Sequence, residues 1–235
     1  WQGQLGKDPG VCGRLANRIG GEIENDPNNS VIIVRNGDKL TGTLRVDGDL
    51  YALRPLRSGG HAIARIDESR MPADHPAAYG LLPKIEMPKS PDAGTKAIGP
   101  LANTVIRVMV VATQSAISAS GDIVGLANLA VSESNTGYTN SGVTITLQLA
   151  GTYSTTYVES GSFSTDLTRF RTNGDTYMDG VHAIRNTITA DVMMLLINNA
   201  SSCGLASGIG STAATAFAVA HYGCATGYYS FAHEI

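Results

Sequence analysis

Two adjacent side chains near the end of the 235-residue sequence, His233 and Glu234, could carry out metal-assisted chemistry. An imidazole nitrogen is a common zinc ligand, and a neighbouring carboxylate can take a proton from a zinc-activated water. Such a pair can open the pattern H-E-x-x-H, whose two histidines leave the same face of a helix. The pair therefore predicts a metal ligand, His233, and a general base, Glu234.

The sequence stops before that pattern is complete. The second histidine would lie four residues after His233, whereas the sequence ends at Ile235. An isolated His-Glu pair also occurs by chance in many proteins, so the alternative is that the pair is incidental. Because the sequence begins at Trp1, without a methionine or a signal-like segment, we expect a fragment or a processed product.

The other four histidines carry weaker signals. His61 begins a predicted strand, and His75 lies in a proline-rich stretch after the last predicted strand of the first region. His182 lies on a predicted helix, and His221 ends a short apolar strand. Each is predicted to be a surface or packing residue rather than a ligand.

Composition narrows the possible partners and locations. The net charge is −3, so no basic surface favours nucleic acid or a lipid membrane as a partner. No apolar run approaches the length of a membrane span. Charged residues are scarce and Gly, Ser, Thr, Asn and Ala are abundant, as in many secreted bacterial enzymes. We therefore expect a secreted protein with one large domain or two small ones.

Three cysteines are present, at Cys12, Cys203 and Cys224. The last two are close in sequence and flank the segment that leads to His233. A disulfide between them is predicted if the protein is extracellular, and the alternative is two buried free thiols. Cys12 is left without an evident partner.

Residues 1–76 predict a small antiparallel β domain. Residues 1–5 form a short alternating piece, and strands are expected at residues 31–34, 40–45, 50–56 and 61–66. The Asn36-Gly37 pair between two apolar runs is a strong hairpin signal. Residues 6–29, rich in Gly, Asn and Asp, predict a loop, and residues 77–103, rich in Pro and Gly, predict a linker open to proteases.

Residues 104–235 predict a mostly parallel sheet covered by helices. Strands are expected at residues 104–113, 143–149, 191–198 and 217–221, and helices at 121–134, 163–170, 176–190 and from Tyr228 onward. The β-α-β-α-β order implies parallel strands joined by crossovers. The short glycine-rich stretch 201–211 could form an exposed edge that pairs with an extended peptide.

These pieces together resemble the reprolysin-like metzincin zinc proteases, and among them the bacterial peptidyl-Asp metalloendopeptidases. The resemblance rests on C-A-T-G-Y-Y-S-F-A-H-E-I at 224–235, V-I-R-V-M-V-V-A-T at 105–113, L-L-I-N-N at 195–199, C-G-L-A at 203–206 and F-A-V at 217–219. It covers residues 103–235. The early strands are similar in character to the β-rich propeptides of such enzymes, and residues 10–26 depart from that pattern.

The resemblance implies a mixed α+β and α/β fold. A propeptide-like antiparallel β domain would be followed by the upper subdomain of a metzincin, with a mostly parallel twisted sheet, an antiparallel edge strand and two long helices. The catalytic domain would span residues 104–235 and be truncated inside the motif H-E-x-x-H-x-x-G-x-x-H. Two zinc ligands would follow Ile235, so the chain by itself is expected to be inactive.

The resemblance also implies roles for individual residues. His233 would be the first zinc ligand, and Glu234 the general base of a secreted zinc endopeptidase in precursor form. Cys203 and Cys224 would form a bridge. The cofactor would be Zn²⁺, and the partner a protein or peptide substrate. That substrate would lie along the edge strand at Gly204, Leu205, Ala206 and Ser207.

Two further expectations concern specificity and latency. The resemblance implies cleavage on the amino side of Asp or an oxidised Cys, which needs a basic group in the pocket. Arg169, Arg171 or a residue after Ile235 could supply it, although these arginines are more simply a solvated face. Cys12 could cap the zinc of a precursor through its thiolate, or it could be a free or intermolecularly paired thiol.

Two alternatives remain open at this point. One is a non-catalytic secreted protein, a β-rich module joined to an α/β domain that binds peptide or carbohydrate, with an incidental His-Glu pair. The other is a two-histidine metalloprotease that uses a distant Glu as its third ligand. The glycine-rich edge stretch before His233 favours the metzincin over the latter.

Overall fold

The first of two sheets in the protein is antiparallel and built from hairpins. The structure, a computed structural model, describes residues 17–23, 26–77 and 104–235. The five strands pair in chain order, β1 to β5. Their bounds are Asn17–Ile23, Asp26–Asn36, Lys39–Val46, Asp49–Pro55 and His61–Ile66, and a short 3₁₀ turn, Glu68–Arg70, follows.

Residues with positive φ angles form the turns of two of the hairpins. Gly37 adopts φ +64° between β2 and β3, which is the left-handed conformation that a tight hairpin turn requires. Asp47 and Gly48 adopt φ 52° and 87° between β3 and β4. The hairpins and strands predicted from residue 31 onward are confirmed, because their turn residues and apolar alternation agree.

The loop predicted for residues 6–29 is wrong where the structure describes it. β1 pairs with β2 in antiparallel register from Asn17↔Arg35 to Gly21↔Val31. Gly20 and Gly21 interrupt the apolar alternation, so the strand is specified by its pairing partner rather than by its own pattern. The alternating piece at residues 1–5, Cys12 and most of the expected linker lie outside the described residues.

The second sheet is mixed, with strand order β7-β6-β8-β10-β9. Neighbouring strands are parallel except for the short edge strand β9, which is antiparallel to β10. The strand bounds are Thr104–Thr113 for β6, Ile145–Thr155 for β7, Val192–Ile197 for β8, Gly204–Ala206 for β9 and Phe217–His221 for β10. The mostly parallel sheet and its antiparallel edge are therefore confirmed.

Five helices accompany this sheet within the described residues. They are α1, Gln114–Ser120; α2, Ile123–Asn140; α3, Phe163–Arg171; α4, Gly180–Thr187; and α5, Ser230–His233. The sequence analysis missed α1, although Thr113 caps its first turn and Gly121, at φ 73°, ends it. No helix in the described part of the chain is both long and apolar enough to cross a membrane.

The expectation of two long helices is wrong for the second of them. α4 has eight residues, whereas the apolar stripe predicted a helix over 176–190. The carboxylate of Asp179 accepts the amides of Gly174, Asp175 and Thr176 at 2.6–3.2 Å. These bonds fold the preceding residues into a loop and delay the start of the helix, because a short acidic side chain competes for backbone amides.

The core lies on both faces of the second sheet. On one face Met109, Met193 and Leu195 pack against α3 and α4. On the other, Val108 and Val110 pack against α2. Alternate side chains of β6 thus pack into the cores on opposite faces of the sheet. Because both faces of this strand are buried, its sequence is one continuous apolar run.

Helix α2 lies between the two sheets and joins them. Leu126 and Ala130 pack into the core of the second sheet, whereas Leu129 contacts Ile32 and Val34 of the first. The helix has apolar side chains on two sides because it is buried by a sheet on each.

Polar bonds reinforce this junction at the start of α2. Asp122 is buried and caps the helix by accepting the amide of Gly125 at 3.0 Å. It also accepts bonds from Asn36 at 2.8 Å and Thr41 at 3.2 Å, both on the first sheet. One carboxylate therefore fixes the helix start against two strands.

A second buried carboxylate lies deeper in the junction. Glu133 of α2 accepts a hydrogen bond from the hydroxyl of Thr43 on β3 and another from the amide of Gly227 at 2.7 Å. Burial raises the pKa of Glu133 to about 7, against the lowering effect of these bonds and of the Arg54 and Arg45 guanidinium groups.

The buried Glu133 carboxyl should make the free energy of unfolding depend on pH. An unfolded Glu loses its proton near pH 4.5, while folded Glu133 keeps its proton to about pH 7. The folded state then binds the extra proton, so the free energy of unfolding should fall as pH rises through this window, by on the order of 3 kcal/mol. Urea unfolding at several pH values measures it, and Glu133→Gln should flatten the slope.

The matched control is Asp38→Asn, which removes an exposed carboxylate in the β2–β3 turn. It should leave the slope as in the wild type. An equal slope in the Glu133→Gln and wild-type proteins would contradict the assignment of this pH dependence to Glu133.

Candidate active site

Helix α5 carries His233 and is anchored by one apolar side chain. Phe231 is fully buried in the same apolar cluster as α2, and His233, two residues on, is exposed. Tyr229, at φ 63°, turns the chain into the helix, and the amide of Glu234 bonds to the carbonyl of Ser230 at 3.1 Å. The helix thus presents His233 outward while Phe231 holds it in place.

The carboxylate of Glu234 points inward, against edge strand β9. The side chain is 2% exposed and accepts the backbone amide of Ala206. Burial raises the pKa of Glu234 to about 8, and the nearby carboxylate of Asp74 adds to the rise, while the Ala206 amide opposes it. The carboxylate form of a group with a raised pKa is a stronger proton acceptor than that of an ordinary Glu.

Gly204 makes this approach possible. A Cβ atom on Gly204 would lie 2.7 Å from Cγ of Glu234, closer than real Cβ contacts, and would also meet its carboxylate. The missing side chain therefore leaves the space that Glu234 fills. Of the expected substrate-binding residues, Gly204, Leu205 and Ala206 form β9, and Ser207 follows it directly.

His75, which the sequence predicted to be a surface or packing residue, lies beside His233. Its Nε2 lies 3.3 Å from Nε2 of His233 and 3.8 Å from Oε1 of Glu234, and its side chain is 14% exposed. Ligand atoms of His75, His233 and Glu234 all lie within 4.8 Å of one another. No local signal could have found His75, because it lies 158 residues before His233.

His75 belongs to residues 71–77, which we call the covering segment. Its backbone lies on the start of β9, where the amides of Cys203 and Gly204 donate to the carbonyls of Ala73 and Asp74 at 2.8 and 2.9 Å. A cavity of about 200 Å³ lies beside it. The cavity is lined by Asp74, Tyr228, Tyr229, Ser230, His233 and Glu234.

A disulfide ties the edge strand to the approach of α5. Cys203 and Cys224 are bonded, with their Cα atoms 5.4 Å apart, and both are fully buried. Cys203 directly precedes β9, and Cys224 accepts the amide of Ser230 through its carbonyl at 3.3 Å. The bond joins the two elements that hold Glu234.

Arg169, one of the arginines considered for substrate recognition, has other contacts. The guanidinium of Arg169 lies 3.9 Å from the ring centroid of Tyr177 and donates to the hydroxyl of Tyr157 at 3.3 Å. Neither Arg169 nor Arg171 lines the cavity beside His233.

A comparison with protein families shows which family the chain belongs to. The Reprolysin_5 model, described as metallo-peptidase family M12, matches residues 102–235, more than half of the chain. The chain belongs to metallo-peptidase family M12. The matched residues include the second sheet, all five helices of the described part and the His233-Glu234 pair.

Individual M12 relatives agree with this assignment. The chain is 52% identical over 236 residues to a peptidyl-Asp metalloendopeptidase of Xanthomonas campestris, covering 100% of this chain and 55% of the relative. It is 58% identical over 213 residues to one from Stenotrophomonas maltophilia, covering 90% of this chain and 51% of the relative. The chain thus spans about half the length of these relatives.

A solved structure shares the fold. Metalloproteinase-II from Bacteroides fragilis aligns with a TM-score of 0.50 and 17% identity, covering 93% of this chain and 70% of that chain. At this identity the likeness concerns the fold alone.

The contact between Gly204 and Glu234 gives a sharp prediction. Gly204→Ala should displace the Glu234 side chain and lower the free energy of unfolding by about 1–3 kcal/mol, as overpacking does. Gly137→Ala is the matched control, because its Cβ meets nothing within 4 Å on helix α2 and should be neutral or slightly stabilising. Urea unfolding of both variants measures the difference, and equal stabilities would contradict the packing.

The disulfide predicts a separate loss of stability. Replacing both Cys203 and Cys224 by Ala removes a crosslink across 21 residues, which should cost about 3 kcal/mol of unfolding free energy. A reducing agent should lower the melting temperature of the wild type and leave that of the double variant unchanged. A wild type insensitive to reduction would argue against the bond.

Proposed function

We propose that the protein carrying this chain is a zinc endopeptidase in which His233 binds the metal and Glu234 is the general base. The observation that carries the proposal is the placement of these two residues: His233 faces the cavity while the Glu234 carboxylate contacts edge strand β9. Membership of family M12 supports this reading over a non-catalytic binding module.

The donor atoms present suit zinc. Imidazole nitrogens are common zinc ligands, and the imidazoles of His75 and His233 lie together here, beside the Glu234 carboxylate that is the proposed base. His233 would hold the ion, together with ligands that the rest of the protein contributes. The chemistry that zinc supplies when bound is Lewis acidity, which makes a water molecule acidic enough to be deprotonated near neutral pH.

The chain's own residues account for the proton transfers. Glu234 accepts a proton from the attacking water and returns it to the nitrogen of the departing amine, so that the peptide bond breaks and one water is consumed. The raised pKa of Glu234 makes its carboxylate form a stronger base for the first of these transfers. Edge strand β9 would hold the peptide backbone extended beside Glu234.

Substrate preference, export and processing are further parts of the proposal. The relatives are named for peptidyl-Asp cleavage, and we infer the same preference, on the amino side of Asp, for this protein. The buried disulfide supports a secreted, oxidising location. The first sheet, packed against α2 ahead of the M12 match, supports a precursor form in which that sheet is a propeptide.

The test separates metal binding from proton transfer. In the full-length protein, Glu234→Gln should lower the turnover of an Asp-containing fluorogenic peptide by at least about 100-fold while zinc content is retained. His233→Ala should lower both turnover and zinc content. Peptide cleavage and elemental analysis provide the two measurements.

Glu68→Gln is the matched control for the loss of a carboxylate, since Glu68 pairs with Arg45 on the first sheet. It should leave turnover and zinc content near those of the wild type. Full turnover in Glu234→Gln would refute the assigned base, and full zinc content in His233→Ala would refute the assigned ligand.

A further inference from the structure

We propose that a cavity between the first sheet and the turn after β10 binds a small carboxylic acid with an apolar body, whose carboxylate pairs with the guanidinium of Arg54. We call it the Arg54 cavity. It shares no lining residue with the cavity beside His233, so its ligand is separate from the proposed peptidase function.

Short side chains on neighbouring strands create the Arg54 cavity, which has a volume of about 230 Å³. Ala52 of β4 pairs with Ala64 of β5, and Arg54 pairs with Ala62. Side chains at paired positions lie on the same face of a sheet, so the alanines leave space beside the Arg54 side chain. Tyr222, in the turn after β10, lines the cavity from the second sheet.

Arg54 places a largely buried positive charge at this cavity. Its Nη1 donates to the carbonyls of Gly42 and Leu53 at 2.9 and 3.0 Å, and its Nη2 donates to the hydroxyl of Thr226 at 2.8 Å. These acceptors are neutral, and no carboxylate of the described residues forms an ion pair with Arg54. Because buried charges are normally paired, an anionic ligand would complete the site.

The guanidinium of Arg54 also has N–H groups left for such a ligand. A guanidinium carries five N–H groups. The bonds to Gly42, Leu53 and Thr226 leave the Nε–H and one Nη2–H without an acceptor among the described residues. Nε and Nη2 lie along one edge of the planar group, and paired N–H donors of this kind bind a carboxylate through both of its oxygens.

Glu133 only partly neutralises Arg54. Its charge acts on Arg54, but its oxygens already accept bonds from the hydroxyl of Thr43 and the amide of Gly227. Burial raises the pKa of Glu133 to about 7, so most of its charge is lost below that pH. A carboxylate from solution then has no competitor of full charge for Arg54.

The size and lining of the Arg54 cavity indicate the rest of the ligand. An apolar cavity of about 150 Å³ holds a benzene ring, so about 230 Å³ leaves room for a carboxylate as well. Leu50, Ile66 and Met71 provide apolar surface, and Ala64 lies exposed at the rim, where a ligand can enter from solvent. Aromatic acids such as benzoate and short aliphatic acids such as hexanoate share this chemistry.

Calorimetric titration of the full-length protein tests the chemistry of the ligand. A Glu234→Gln background prevents self-digestion, and a pH of about 6 keeps most of Glu133 protonated. Benzoate or hexanoate should bind at least about tenfold more tightly than the matching alcohol, benzyl alcohol or hexanol, which has no charge. It should exceed acetate, which lacks the apolar body, by a similar factor.

The tighter of the two acids identifies the ligand as aromatic or aliphatic. If neither acid binds at millimolar concentration, or if the alcohols bind as tightly as the acids, the inference is wrong.

Two substitutions test the location. Arg54→Gln removes the guanidinium, and Ala64→Leu fills the cavity from its rim, so each should weaken binding of the acid at least about tenfold. Arg65→Gln is the matched control, because Arg65 is exposed on β5 and pairs with Asp49 at 2.7 Å. It should bind the acid as the parent protein does.

Circular dichroism shows whether each variant folds. Since Ala64 is exposed, Ala64→Leu should fold even if the loss of the Arg54 hydrogen bonds unfolds Arg54→Gln. Unchanged affinity for the acid in folded Ala64→Leu would overturn the assignment of the ligand to this cavity, as would unchanged affinity in folded Arg54→Gln.

Discussion

The contact between the Glu234 carboxylate and the backbone of β9 is the interaction on which the site depends. A carboxylate that is 2% exposed needs hydrogen-bond donors, and the Ala206 amide provides one. The contact also requires a glycine at position 204. The position of the Glu234 carboxylate and the backbone of edge strand β9 are therefore determined together. A change in either one would displace the other.

The surrounding elements keep this contact in register. Phe231 fixes α5 against the apolar cluster of α2, while the bond between Cys203 and Cys224 ties the start of β9 to the turn before α5. Glu133 extends the same linkage to the first sheet, since it bonds both Thr43 and the Gly227 amide. The first sheet thus contacts the site through α2 as well as through the covering segment.

Sequence patterns predicted the elements that are specified locally. The apolar run of Thr104–Thr113 corresponds to β6, because burial on both faces of a strand leaves a direct trace in residue order. The alternation of His61–Ile66 predicted β5, although none of its residues is buried. The His-Glu pair located α5 for a similar reason, since motif spacing is local.

Features that depend on distant partners could not be predicted. β1 is a strand because β2 lies beside it, and its own two glycines conceal the pattern. The residues before α4 are held in a loop by Asp179, whose preference for backbone amides over helix formation depends on geometry. The position of His75 next to His233 follows from the packing of the first sheet against α2, which no spacing in the sequence encodes.

The topology of the two sheets has a consequence for the order of folding. The first sheet contains only hairpins between consecutive strands, whereas β6 must pair with β8, so that Val108 meets Val192. Local pairings form faster than those that close long loops, and residues near the start of a chain are synthesised first. The first sheet can therefore be complete while β8 is still unpaired, and it then offers α2 a ready-made surface on which the second sheet assembles.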